Sequence, residues 1–261
     1  MIVRKSAAEV AKIAAAGSIL GGCLDMLSAE ARPGVTTGQL DRLAERFIRK
    51  NGGAPTFLGY RGFPGSICAS PNAMVVHGIP GSYRIAEGDL LSLDVGVSLD
   101  GYVADSAVTL PIGTVDAEAE RLLKATAESL EAGLAECVEG RRLGDISHAV
   151  QEVVEAAGFS VVRSLVGHGV GRELHEDPQI PNYGEPGRGP RLEEGMVFAI
   201  EPMVNVGGHE VHVADDGWAI STADGTLSAH YEHTVAIGKE RSRVLTRRGS
   251  EAGRVGAEAG M

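Results

Sequence analysis

Residues Asp89 to Thr109 constrain the fold more than any other stretch of this chain. Leu90–Leu99 and Tyr102–Thr109 read as strands, and Asp100-Gly101 between them is a strong two-residue hairpin signal. A two-residue turn sets the register, pairing Leu99 with Tyr102 and therefore Gly96 with Asp105. Asp94 lies two residues from Gly96 and points to the same face. Asp94 and Asp105 then become diagonal cross-strand neighbours, with β-carbons about 7 Å apart or a little less. Their face carries Asp94, Gly96, Ser98, Val103 and Asp105, whereas Leu93, Val95, Val97, Leu99, Tyr102 and Ala104 form the opposite, core-like face. Taken alone, such a pair reads as two solvated carboxylates, which need no partner. A binuclear cation site is the competing reading, and the rest of the chain decides between them.

The chain has 261 residues, enough for one large core or two fused halves. A net charge of −11 argues against general nucleic-acid binding. Cys23, Cys68 and Cys137 are odd in number and lack a CxxC pair, which fits reduced thiols and a cytoplasmic location. No secretory signal is read. Glu9, Lys12 and Asp25 interrupt the apolar stretch Ala7–Leu27, so an amphipathic soluble helix is expected there and no membrane span.

Ser6-Ala-Ala-Glu9 is a capping-box pattern that opens a helix to about Ala29, and Thr36 or Thr37 caps a second from Gln39 to about Lys50. Two more helices are expected over Ala117–Glu139 and Ile146–Ala157. Strands are read at Ser66–Ala69, Met74–His77, Ser160–Val166, Met196–Glu201, Val211–Val213, Gly217–Thr222, Tyr231–Ile237 and Arg243–Thr246, with residues 176–191 as a Pro/Gly-rich loop. An internal repeat emerges. Gly34-x-x-x-Gly38-x-Leu40 parallels Gly140-x-x-x-Gly144-x-Ile146 at an offset of 106, and Gly52 parallels Gly158. Glu87-Gly88 precedes Asp94 just as Glu194-Gly195 precedes Glu201, each carboxylate ending an apolar strand. The expected class is α+β: two pseudo-symmetric halves, about 1–113 and 114–247, each with a curved, mainly antiparallel sheet and helices on its outer face. Residues 1–247 would form one catalytic domain and 248–261 a disordered tail.

In that arrangement the carboxylates of both halves meet at the centre, and five residues qualify as an oxygen-rich ligand set: Asp94, Asp105, His168, Glu201 and Glu232. Four carboxylates cannot converge without cations, because each close pair costs on the order of 3 kcal/mol at about 5 Å and an effective dielectric of roughly 20. Two divalent ions offset four negative charges, and binuclear sites hold their ions about 3.5–4 Å apart. One imidazole among carboxylates favours Mn, Fe or Co, with Zn and Ni as remaining candidates. His77 and His175 lie outside the ligand set and are free for proton transfer or carbonyl polarisation.

These residues resemble the type I methionine aminopeptidases of the pita-bread fold. The resemblance runs from about Lys5 to Thr246 and is carried by His77-Gly78-Ile79-Pro80, Asp94, Asp100-Gly101-Tyr102-Val103-Ala104-Asp105, Gly167-His168-Gly169-Val170-Gly171-Arg172, His175-Glu176-Asp177-Pro178, Glu201-Pro202-Met203 and Tyr231-Glu232-His233-Thr234. It implies removal of the initiator methionine from nascent polypeptides with a small second residue, through a hydroxide bridging two divalent ions. Asp105 and Glu232 would bridge the ions, Asp94 would complete one, and His168 with Glu201 the other. By the same resemblance Glu201 shuttles the proton, His175 stabilises the oxyanion and His77 contacts substrate near the scissile bond. The methionine pocket falls on Phe57, Tyr60, Phe63, Cys68, Leu174 and Trp218, an aromatic and sulfur-containing set suited to a flexible thioether. Leu174 and Phe57 depart from residues common in relatives and reshape that pocket. A ribosome-proximal monomer without membrane or specific nucleic-acid partners is expected. No amino-terminal zinc-finger extension is read, so recruitment through one is not expected. The alternatives are an X-Pro aminopeptidase or prolidase of the same fold, which usually carries a further amino-terminal domain, and a catalytically silent binding domain, which would tend to lose the ligands.

Overall fold

The Asp100-Gly101 turn forms with positive φ at both central residues, 50° and 76°, as a type I′ hairpin requires. The computed structural model describes residues 1–251, and in it Leu90–Leu99 and Tyr102–Pro111 pair antiparallel along their whole length, with Gly96 opposite Asp105. Ala54–Pro55 and Cys68–Pro71 add to the other edge of Leu90–Leu99, and Cys68 stands opposite Asp94.

Helix α1 (Ala7–Glu30) starts at the Ser6/Glu9 capping box and α2 (Thr37–Lys50) at a second box made by Thr36 and Gln39. Both cover the hairpin. Ile13, Leu20, Leu24 and Leu27 of α1 share one buried cluster with Leu93, Val95, Val97, Tyr102 and Ala104 of the hairpin. The expected polar amphipathy of α1 is corrected. Its outward face is mainly Ala8, Ala11, Ala15 and Ser18 with Lys12, so the two faces differ in side-chain size more than in polarity. By length and composition this helix could cross a membrane, with 24 residues and a mean hydropathy of 1.5 in its most apolar window. It is packed here as a core helix.

The second half repeats the order. Helices α3 (Ala117–Ala135) and α4 (Leu143–Ala156) pack beside a five-stranded sheet in the order Arg243–Val244, His233–Ala236, Val197–Ile200, Val166–Gly169, Glu176–Pro181. Leu130, Leu134, Ile146, Phe198, Ile200 and Val235 form its core. The repeated glycines play the same parts in both halves. Gly34 and Gly140 hold φ of 92° and 93°, and Gly38 and Gly144 each lie so close to a facing backbone carbonyl that a β-carbon would come within 2.9 and 2.3 Å of it.

The halves are joined at several places, among them the pairing of Met74–Val76 with Ile220–Thr222, and one seam runs beside the carboxylates. Ala107 and Glu232 exchange backbone hydrogen bonds of 3.3 and 3.0 Å. Thr234 Oγ1 donates to the Asp105 carbonyl at 2.8 Å and accepts from the Asp105 amide at 2.9 Å. Thr109 Oγ1 serves the His230 carbonyl and amide in the same way, both at 2.8 Å.

Several expectations are corrected. Residues 176–181 form an edge strand through the cis Asp177–Pro178 bond, not a loop. Ser160–Val166 divides into Ser160–Val161 and the separate strand Val166–Gly169. Ser228–His230 is a strand that local pattern did not reveal. The expected disordered tail does not begin at residue 248: Gly249–Glu251 form a 3-10 turn whose Gly249 amide and Ser250 hydroxyl bond Asp25 at 2.8 and 2.7 Å. Residues 252–261 of that tail lie outside the described residues.

Candidate metal centre and active site

Each expected ligand is delivered by an element whose register sets its place. Asp94 and Asp105 stand in the hairpin, His168 within Val166–Gly169, Glu201 just after Val197–Ile200 and Glu232 just before His233–Ala236. Pairing of His233 with Ile200 brings Glu232 beside Glu201, and pairing of His168 with Ala199 brings the imidazole into the same row. Ligand atoms of Asp105, His168 and Glu232 all lie within 4.8 Å of one another. His168 Nε2 is 3.4 Å from Glu201 Oε1 and 3.9 Å from Asp105 Oδ2. His168 Nδ1 donates to the Gly169 carbonyl at 2.9 Å, which leaves the Nε2 lone pair aimed at the carboxylates.

These residues fit divalent cations on two observations. Asp94 Oδ1, Asp105 Oδ1 and Glu232 Oε1 are buried and have no hydrogen-bond partner among the described residues, an arrangement that is costly unless something else ligates them. Burial also pushes all four carboxyls above their ordinary range, Asp94 to about 7. For Asp105, Glu201 and Glu232 the neighbouring carboxylates add to burial. Cations of charge +2 remove both penalties together.

One cavity of about 290 Å3 opens beside this cluster, and all thirteen site residues expected from sequence line it. Its apolar end carries Phe57, Phe63, Cys68, Leu174 and Trp218, with the Phe63 and Trp218 rings edge-to-face at 5.1 Å. Tyr60 reaches from that end to His175, its hydroxyl 2.8 Å from Nδ1. The His175 ring lies 4.4 Å from that of His168, and burial, then the charges of His168, Arg61 and His77, hold its pKa down to about 4. His175 is therefore neutral near pH 7, and in the tautomer in which Tyr60 donates to Nδ1 its own proton sits on Nε2. His77 is half-buried and held neutral by burial, at a strained φ of 60°.

The cavity also gathers residues that sequence reasoning missed, notably Arg61, Met203 and His230. His230 is fully buried with neither ring nitrogen hydrogen-bonded among the described residues, and its Nε2 lies 4.0 Å from Glu232 Oε2. Its place two residues before Glu232, where an extended chain returns to the same face, was the signal available in the sequence.

Buried carboxylates and an imidazole from two similar halves, beside an apolar pocket, define a metal-dependent hydrolase site. The comparisons carry this further. Residues 11–239 match the model of metallopeptidase family M24. The chain is 52% identical to the methionine aminopeptidase of Clostridium perfringens over 246 residues, covering 94% of this chain and 99% of that one. The crystal structure of methionine aminopeptidase from Thermotoga maritima superposes with a TM-score of 0.94 at 43% identity, covering 95% of this chain and 100% of that one. A prolidase from Pyrococcus furiosus shares the fold alone, with a TM-score of 0.77 at 22% identity, covering 94% of this chain and 65% of that one. The chain belongs to metallopeptidase family M24 and has the pita-bread fold of its methionine aminopeptidases and prolidases. It is a metal-dependent exopeptidase.

Proposed function

We propose that this chain removes the amino-terminal methionine from nascent polypeptides whose second residue is small, acting as one catalytic unit over residues 1–247. The observation that carries this reading is the joining, in one cavity, of a carboxylate-imidazole cluster with an aromatic, sulfur-lined pocket. The relatives named methionine aminopeptidase support it over X-Pro cleavage, and the presence of all five ligand residues disfavours a silent binding domain. Action near the ribosome in the cytoplasm, as a monomer, belongs to the same reading.

Asp94, Asp105, His168, Glu201 and Glu232 would hold two divalent ions, with Mn, Fe or Co favoured over Zn or Ni by an oxygen-rich set with one imidazole. Such ions supply Lewis acidity toward a carbonyl and acidify water at neutral pH. The chain's own residues do the rest. Phe57, Tyr60, Phe63, Cys68, Leu174 and Trp218 enclose the unbranched thioether and exclude water from it. The carboxylate end takes the substrate's free α-ammonium group. His175 donates its Nε2 proton as a hydrogen bond to the scissile carbonyl oxygen as negative charge develops there. Glu201 takes a proton from the attacking water and returns it to the leaving amine. His77 bonds the substrate backbone beside the cleaved bond.

The test is release of the first residue from Met-Ala and Ala-Pro peptides by protein stripped of metal and then titrated with Mn, Fe or Co. Activity is expected only with metal and only on the Met-Ala peptides. Preferential Ala-Pro cleavage, or no activity with any of the three ions, would sink this reading.

A further inference from the structure

Arg61 carries the one cationic side chain of the lysine or arginine kind among the described residues that line the cavity. Its backbone holds φ 49° and ψ 24°, a left-handed conformation that a residue with a β-carbon adopts under constraint, between Gly59 and Gly62. The side chain is exposed at the rim, with the guanidinium carbon 5.3 Å from the centre of the Tyr60 ring. Tyr60 in turn reaches His175, and the Arg61 charge is among those that depress the His175 pKa. Among the described residues Arg61 makes no ion pair, in a chain with 35 acidic and 24 basic residues. A constrained guanidinium left without a carboxylate at the rim of a site is available to whatever enters that site.

The line from His175 through Tyr60 to Arg61 runs from the reacting carbonyl to the rim. The carboxylate cluster occupies the inner end and takes the substrate's ammonium group. On the methionine-removal reading, the part of the substrate beyond the cleaved bond is taken to leave along this line, past Arg61. We infer that Arg61 is a specificity-determining residue that favours substrates with a carboxylate shortly after the cleaved bond. That carboxylate is either an acidic side chain at the third position or the terminal carboxylate of a short peptide. This inference rests on the methionine-removal reading, since it needs the substrate to enter amino terminus first.

The test compares kcat/KM of the metal-loaded enzyme and its Arg61→Gln and Arg61→Glu variants on Met-Ala-Glu amide, Met-Ala-Lys amide, Met-Ala-Gly amide and Met-Ala-Gly free acid. Ratios within one protein do not depend on how much of it is folded. The wild-type protein is expected to favour an acidic over a basic third residue by about tenfold at low salt, a preference compressed by 0.5 M KCl, roughly, as screening sets in. Arg61→Gln brings the ratio close to one and Arg61→Glu reverses it. If only the free-acid to amide ratio responds to the substitutions, the terminal carboxylate is the recognised group. If both ratios are the same in the wild-type and Arg61→Gln proteins, the inference is overturned. Loss of cleavage of all four peptides by the wild-type enzyme would instead refute the methionine-removal reading.

Discussion

The two halves bring their carboxylates to the centre on unequal frames. Asp94 and Asp105 stand inside ten-residue strands paired along their whole length, so backbone register alone positions them. Glu201 and Glu232 stand just outside four-residue strands, and His168 lies in a four-residue strand with a register shift beside it. Beyond the strand pairing, the second set is tied by further hydrogen bonds, one from its own half and others from the first half. Asn182 Nδ2 donates to the Glu201 carbonyl at 2.9 Å, and the Ala107 amide and Ser106 hydroxyl both donate to the Glu232 carbonyl. A local device places one half of the site, and a seam between halves places the other.

The largest expected effect ignores that difference. Asp105→Ala should lower kcat/KM on the order of a thousandfold or more and weaken metal binding, since it removes the carboxylate that the other groups surround. His77→Ala should reduce turnover while metal binding, measured by calorimetry, stays close to that of the parent. Equal metal loss in the two variants would contradict the separation of ligands from substrate contacts.

The metal-free protein tests the electrostatics that both frames share. Asp94 has an ordinary pKa of 3.8 and is raised to about 7 by burial, so the folded state binds more protons than the unfolded state between these values. Stability from this group is fully present below the ordinary value and is lost as pH rises through the folded one, by an amount on the order of a few kcal/mol. The Tm of chelator-treated protein is expected to be lower at about pH 7 than at about pH 4, the ends of that window, and added divalent metal at the higher pH should restore it. A metal-free Tm that rises across this window would show that the carboxyls are not pressed together as described.

Thr234→Val addresses the seam alone. It leaves the Asp105 amide and carbonyl short of a buried partner and should cost about 1–3 kcal/mol, with weaker metal binding as well. Removing the Thr56–Ser98 hydroxyl contact at the hairpin edge, by Ser98→Ala, should leave metal binding unaffected. If the two substitutions act alike on metal affinity, the seam has no special part in the site. Gly101→Ala gives the smallest effect, about 1 kcal/mol of strain at φ 76° with nothing crowding the new methyl group. It should lower Tm without altering metal stoichiometry, because the strands on either side keep their register.

Legibility in the sequence follows the same division. Both capping boxes, the Asp100-Gly101 turn, the facing of Asp105 with Gly96 and the repeated glycines of the two halves were readable, because each depends on residues a few positions apart with a fixed period. The ligand types were readable from their motifs. The strand at Glu176–Pro181 was not, since Pro-rich sequence reads locally as loop and only pairing with Val166–Gly169 makes it a strand. Nor was the outer face of α1, where alanine serves a solvent face as well as a core.

By itself, then, the sequence determined which residues could bind cations and how the hairpin presents two of them, through local sterics and alternation. Only the tertiary structure decided that Glu201 and Glu232 complete the cluster at a seam and that, among the described residues, His230 is buried there without a hydrogen-bond partner and Arg61 stands at the rim without an ion pair. Those facts depend on contacts between segments a hundred or so residues apart, where no short-range period carries information.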